Sequence, residues 1–434
     1  MPRIECIEDV VERQLCTGCG ACAWAEPGRY VMQDVPSLGR RPLHVADAAE
    51  TTGLALSVCP GHALSHSYDG RDLPILKDLE SCWGPVLEVH EGHATDEVMR
   101  GAASSGGLAS ALAVFALEHL DAEGVLQIRQ SSERPLANVA TFSRNRSDVI
   151  ASSGSRYSPA SPCEALADIE GAPGQSVFIG KPCDVAAVSK AALYKPAFAE
   201  KIAFTVGFFC AGVPSTTGLL EFMNQVGATD PKQVVSVRFR GNGWPGNWVV
   251  KWRDSAGELR TAERTYAESW GFLQAYRQWR CHICPDHSGE FADIAVGDPW
   301  YRSMLPGEAG SSLIVVRSER GRSVLAAATK AGCVKLTRTN VPEILPLSQK
   351  NLLKARGALW GRLLALRIAG AAVPNYRGFS TLTHWWHALT WREKAQSLIG
   401  TLIRVRRRRL RAPISLYEEP SDAHRVKQVA GKGK

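Results

Sequence analysis

Four cysteines near the start of the chain have the spacing of cluster ligands. Cys16-Thr17-Gly18-Cys19-Gly20-Ala21-Cys22 is a C-x2-C-x2-C run, and a Cys-Pro pair follows at Cys59-Pro60. Three closely spaced thiolates wrap three corners of an iron–sulfur cubane, and a distant Cys-Pro closes the fourth. The glycines between them let the backbone turn tightly and aim N–H groups at the sulfurs. Zinc is the competing ligand, but it favours two separated C-x2-C pairs. The run therefore points to a 4Fe–4S cluster on Cys16, Cys19, Cys22 and Cys59.

A second set is dispersed. Cys281-His282-Ile283-Cys284 is a lone C-x2-C, weak by itself. Cys183 and Cys210 follow apolar strand candidates at 175–179 and 203–209. Strand ends of α/β folds gather at one edge, where ligands bind, so these four cysteines together can supply four thiolates. Cys6, Cys82, Cys163 and Cys333 show no partner pattern and read as small structural hydrophobes. His62, His66, His90 and His93 read as non-ligands; His282, between two thiolates, is placed to tune a cluster.

The elements that must position these residues fall into three stretches. Residues 1–75 are short, loop-rich and punctuated by proline and glycine, as expected of a small module held by metal more than by core. Residues 76–345 alternate strand and helix patterns, with a helix over 107–120 and strands at 124–128, 175–179, 203–209, 234–239, 248–252, 294–296 and 312–317. That alternation predicts an α+β or α/β body built on a mixed sheet. Residues 346–434 read as a helical extension with a basic tail, disordered from about Glu418 onward.

Within the body, short pieces occur in a fixed order over about residues 86–320: Ala94-Thr95-Asp96-Glu97; Ser104-Ser105-Gly106-Gly107; Gly154-Ser155-Arg156-Tyr157-Ser158-Pro159; Gly180-Lys181-Pro182-Cys183-Asp184; Phe209-Cys210; Cys281-His282-Ile283-Cys284-Pro285-Asp286; and Ala292-Asp293-Ile294-Ala295-Val296-Gly297-Asp298. In this order they resemble the coenzyme F420 hydrogenase/dehydrogenase beta subunits, a family that also holds reductases of chlorophyll-type pigments. The resemblance implies a flavoprotein with FAD and a 4Fe–4S cluster held by Cys183, Cys210, Cys281 and Cys284, so two clusters in all. An N-terminal ferredoxin-like cluster module is a usual companion. The longer cysteine-rich opening of the pigment-reducing branch is not found here.

The small residues Ser104, Ser105, Gly106 and Gly107 open a helix. There, free N–H groups and the helix dipole suit a pyrophosphate, although such a stretch alone also reads as an ordinary cap. Arg156 is placed to neutralise a phosphate and Tyr157 to stack on a ring. Lys181, two residues before Cys183, is placed to face both cluster and flavin. A surface ion pair is the plainer role for Arg156 and Lys181, and Asp298 reads as a polar anchor or a turn residue. Trp244 and Trp248 read as packed turn tryptophans rather than a pocket wall.

A cluster passes single electrons, whereas a flavin stores two and releases them as a hydride. The expected function is thus an oxidoreductase taking electrons from a ferredoxin-like donor or partner redox subunit to a small-molecule acceptor, a deazaflavin or another. The first cysteine set is expected to receive them and the second to relay them. The alternatives are an electron-transfer subunit without its own substrate, or a zinc-stabilised binding protein.

The net charge of +8 is concentrated in the six arginines between Arg404 and Arg411. Nucleic-acid binding is not expected, because no recognised module accompanies them. Trp385, Trp386 and Trp391, then Leu398–Ile403 and the arginines, suggest an interfacial helix on an anionic membrane; the plainer reading is a packed helix with a solvated tail. With no signal-peptide pattern and no uncharged apolar run of about 18 residues, the expected location is cytoplasmic, with peripheral contact at the inner face of the membrane.

Overall fold

A computed structural model describes residues 2–45, 50–66, 74–303 and 308–416; the tail expected to be disordered lies outside them. At the centre is an eight-stranded mixed sheet. Its spatial order is Val334–Arg338, Glu88–Ala94, Ser312–Val316, Ile294–Gly297, Ile202–Phe208, Ser176–Gly180, Val125–Gln130 and Asn138–Ser143. The four strands from Ile294–Gly297 to Val125–Gln130 are mutually parallel; the outer pairings are antiparallel.

A strand covered on both faces is apolar throughout, and Ser176–Gly180 and Ser312–Val316 are buried at every residue. Alternation of side chains across the pleat then divides the core. Val177 and Ile179 face the helices Leu108–His119 and Glu319–Lys330. Phe178 faces the layer containing Pro182–Tyr194. A separate three-stranded antiparallel sheet, Val234–Arg238, Trp248–Arg253 and Leu259–Arg264, packs around Trp248 and Phe222.

All seven strands expected from sequence are present within about two residues. The strand Glu88–Ala94 was not legible, because His90 and Glu91 break its apolar pattern. Both are buried and satisfied: Glu91 accepts from Tyr301 and Arg302, and the His90 ring pairs with Glu88 and Asn340.

The expectation that residues 1–75 depend on metal more than on a core needs correction. Val10, Leu15 and Trp24 are buried in the same core as Phe178 and Val185 of the body and Leu359 and Leu363 of the extension. The extension is helical as expected, but its short strand Asn375–Arg377 pairs in parallel with Ala63–Ser65.

A buried ion triad fastens the same three stretches. Glu290 takes His66 Nε2 at 2.7 Å and Arg356 Nη1 at 2.7 Å. Burial works against the charged carboxylate, but Arg356 and His66 outweigh it and hold Glu290 down at about 2. Its stabilisation is therefore complete above the ordinary value of 4.5 and is lost as pH falls toward 2. Removing one partner of a buried pair leaves an uncompensated charge and costs about 3–5 kcal/mol. Arg356→Met should accordingly lower the thermal unfolding midpoint by many degrees. Lys354→Met, which breaks an exposed pair with Glu393, should change it little. Equal midpoints for the two variants would show that the triad is no fastening.

Candidate functional site

Parallel strands deliver their following residues to one edge. Ser176–Gly180 leads to Lys181 and Cys183, Ile202–Phe208 to Cys210, and Ile294–Gly297 to Asp298. The Ser104–Gly107 turn meets this edge through Ser312: Gly106 N and Ser105 Oγ both bond Ser312 Oγ. Between these groups lies a cavity of about 300 Å³, at the lower end of the roughly 300–1,000 Å³ usual for small-molecule sites. Ser104, Ser105, Gly107, Arg156, Tyr157, Lys181 and Asp298 line it, with Cys210. Gly106 lies just behind, where a Cβ would stand 2.7 Å from Ser312 N and 2.8 Å from Gly92 O. Gly107 caps Leu108–His119 at φ 73°, a conformation glycine adopts without cost.

The roles of these residues differ in part from expectation. All three guanidinium nitrogens of Arg156 are spent on protein, at Asn138 Oδ1, Val237 O and Pro135 O. Burial lowers its pKa to about 10, and it clamps the wall more than it faces a ligand. Asp298 is the polar anchor: it accepts two bonds from Arg240 at 2.8 Å and one from Trp244 Nε1. Arg240, which the sequence did not single out, also reaches Ser104 O and lies over the Tyr266 and Trp300 rings. Burial alone would lower its pKa, but Asp298 overrides this and raises it. Tyr157, Tyr266, Trp270 and Trp300 form an aromatic wall. Trp248 is core, as expected, whereas Trp244 anchors Asp298. Lys181 bonds Asp184 Oδ1 at 2.5 Å; burial opposes its charge, and Asp184 and Cys183 hold it above the usual lysine range.

Each cysteine set is brought together. The charges of Cys16, Cys19 and Cys59 all bear on Cys22, and those of Cys210 and Cys284 on Cys183, with Cys281 acting on both Cys210 and Cys284. Burial pushes Cys59, Cys210 and Cys284 up to about 12. Among the described residues no three His, Cys, Asp or Glu side chains close on one point. Zinc, at about 2.3 Å from each sulfur, would require such a point. A cubane seats each thiolate on its own iron and so accepts wider spacing.

Backbone N–H groups point at two of the sulfurs, Gly18 N to Cys16 and Val213 N to Cys281, each at 3.3 Å. Three buried side-chain donors beside the sets have no protein partner: Arg41 Nε, Arg280 Nε and His287 Nε2. Buried donors are nearly always satisfied, and the sulfides of a cluster are acceptors of that kind. The residues present thus fit clusters better than a single ion.

Two further residues escaped the sequence reading. Arg280 is buried and acts electrostatically on Cys16 of one set and on Cys183, Cys281 and Cys284 of the other. Cys163, read as a plain hydrophobe, is fully buried against Cys19, its N–H donating to Cys19 O at 2.9 Å. Neither carries a local signal, since each partner lies more than a hundred residues away or in a different element. The other leftover cysteines stay outside both sets, Cys82 lying 2.8 Å from His384 Nδ1.

Comparison with known proteins follows the same boundaries. Two family models describe the coenzyme F420 hydrogenase/dehydrogenase beta subunit. The one for its N-terminal part matches residues 89–167, and the one for its C-terminal part matches 175–341. The coenzyme F420 hydrogenase subunit beta of Methanococcus voltae is 24% identical over 287 residues, covering 65% of this chain and 95% of the relative. That of Methanosarcina barkeri is 26% identical over 259 residues, with coverage of 57% and 81%. The F420-dependent formate dehydrogenase subunit beta of Methanocaldococcus jannaschii is 24% identical over 243 residues, with coverage of 56% and 60%. A chain of the F420-reducing NiFe hydrogenase complex from Methanosarcina barkeri aligns with a TM-score of 0.48 at 23% identity, over 62% of this chain and 87% of that one. The two family models meet end to end over the sheet, the cavity and the second cysteine set, and together span more than half of the sequence; the chain belongs to the coenzyme F420 hydrogenase/dehydrogenase beta subunit family.

Proposed function

We propose that this chain is an iron–sulfur flavoprotein oxidoreductase. It would take electrons from a ferredoxin-like donor or partner redox subunit and deliver them to a small organic acceptor, a deazaflavin coenzyme or another. The observation that carries this reading is the convergence of seven of the eight expected flavin-site residues and Cys210 on one cavity. When bound, 4Fe–4S clusters supply single electrons and FAD a two-electron hydride store.

The chain's own residues support such cofactors. Leu108–His119 presents its N-terminus, and so its free N–H groups, to the cavity. Tyr157, Tyr266, Trp270 and Trp300 offer ring faces. Arg41, Lys190 and Arg280 set positive charge against the first cysteine set, and Arg280 and Lys181 against the second. By role, residues 1–75 form the first cluster module, 76–345 the flavin and second-cluster body, and 346–434 an extension. The family-matched stretch lies wholly within that body. A purely electron-relaying subunit is the second reading, favoured by the names of the hydrogenase relatives, which are subunits.

Two cubanes require about eight irons per chain. Iron, acid-labile sulfide and flavin should be counted after anaerobic purification; stoichiometric zinc without iron would sink the reading. Gly107→Leu tests the flavin site. Its Cβ would stand 3.1 Å from Met99 O in a left-handed backbone, so the helix start must shift. FAD should be lost while the iron of the first set remains. Full flavin in that variant would show the site is elsewhere.

A further inference from the structure

The last helix, Trp391–Arg407, is amphipathic in the reverse sense for a helix packed on a protein. Its buried residues are Lys394, Ser397, Thr401 and Val405, three of them polar. Its outward residues include Trp391, Ile399, Leu402 and Ile403, at 74, 59, 38 and 62% exposure. The inward face works because it is small and self-satisfied. Thr401 Oγ1 donates to Ser397 O and Ser397 Oγ to Lys394 O. Ser397 also takes Trp385 Nε1 and packs onto Gly361 of the preceding helix Leu359–Ile368, which has no side chain to block the approach. Close packing thus selects the polar face for the interior and leaves the apolar face outside.

The stripe is continued by Leu382 and Trp386, one turn apart on helix Thr381–Ala388 and both about half exposed. Trp386 and Trp391 lie 6.0 Å apart, edge to face. One turn beyond Leu402 and Ile403 on the same face stand Arg406 and Arg407, both exposed, followed by exposed Arg409 and Arg411. Trp385, expected in the same role, is buried and takes no part. No helix among the described residues is long and apolar enough to cross a membrane. A tryptophan-bearing apolar stripe that ends in arginines suits a bilayer surface: the stripe enters the headgroup boundary and the arginines meet anionic headgroups.

We propose that the outward face of Trp391–Arg407, with Leu382 and Trp386, docks this protein peripherally on an anionic lipid bilayer. Charge complementarity chooses this occupant over a neutral surface, since the exposed rim of the stripe is arginine.

The test is flotation of the full-length protein with vesicles of phosphatidylcholine alone or mixed with phosphatidylglycerol. Binding to the mixed vesicles only is expected, with Trp fluorescence shifting to the blue. Arg406→Ser and Arg407→Ser should each weaken binding about fivefold, from about 1 kcal/mol per basic residue near the surface. Ile399→Ser/Ile403→Ser should abolish it without altering the far-UV circular dichroism, because both side chains already face solvent. Several outcomes would overturn the proposal: no binding to mixed vesicles by folded protein, equal binding to phosphatidylcholine alone, or undiminished binding by the double variant. So would a sedimentation velocity dimer that the double variant dissociates while vesicle binding is absent, since a second copy would then be what covers the stripe.

Discussion

Replacing Cys19 by alanine should abolish reduction of the flavin by a protein donor, yet leave FAD bound and reducible by a small chemical reductant. The separation follows from where the two sites draw their residues. No residue between 1 and 75 lines the cavity, so damage to the first cysteine set does not reach the flavin wall directly. The loop carrying Cys19 is pressed onto the body instead: a Cβ on Gly20 would stand 2.7 Å from Glu164 N, and Cys163 N–H holds Cys19 O. The core that encloses Leu15 and Trp24 should hold this loop in place without its cluster. Cys163→Ala is the matched control. It touches Cys19 but supplies no ligand, so it should keep its iron and its donor-driven rate. Stopped-flow reduction by reduced ferredoxin and by dithionite, on both variants, makes the comparison. Normal donor-driven flavin reduction in Cys19→Ala would show that the first set is off the path.

Cys281→Ala should behave in the opposite way, losing flavin or solubility as well as iron. Cys281 fastens the segment that forms one side of the cavity. Val213 N–H donates to its sulfur, a Cβ on Gly212 would stand 3.2 Å from Cys281 Cβ, and Pro214 bridges Arg277. Cys210, Ala211, Gly212 and Val213 all line the cavity. Metal binding is folding energy for the segments it ties together, and here those segments are the flavin wall. Flavin-to-protein ratio and iron content, measured beside Cys19→Ala, decide the matter. A soluble Cys281→Ala protein with full flavin would show that the second set does not support the cavity.

The sequence alone determined what short-range patterns encode. The C-x2-C-x2-C run, the glycine-opened helix and the apolar strands that end in Cys183, Cys210 and Asp298 are each written within a few residues, and the parallel register of those strands then forces their ends to one edge. Three things required the tertiary structure. Arg240 reaches Asp298 across 58 residues, and Glu290 joins His66 and Arg356 over 224 and 66; no window of local periodicity contains such a pair. The strand Glu88–Ala94 hides behind buried polar residues whose partners are distant in sequence. The face that Trp391–Arg407 turns outward contradicts its hydrophobic pattern, because close packing at Gly361 rewards the small polar side. Spacing names the ligands and glycines fix the turns, but the sharing of charge and the choice of buried face depend on which surfaces the completed fold brings into contact.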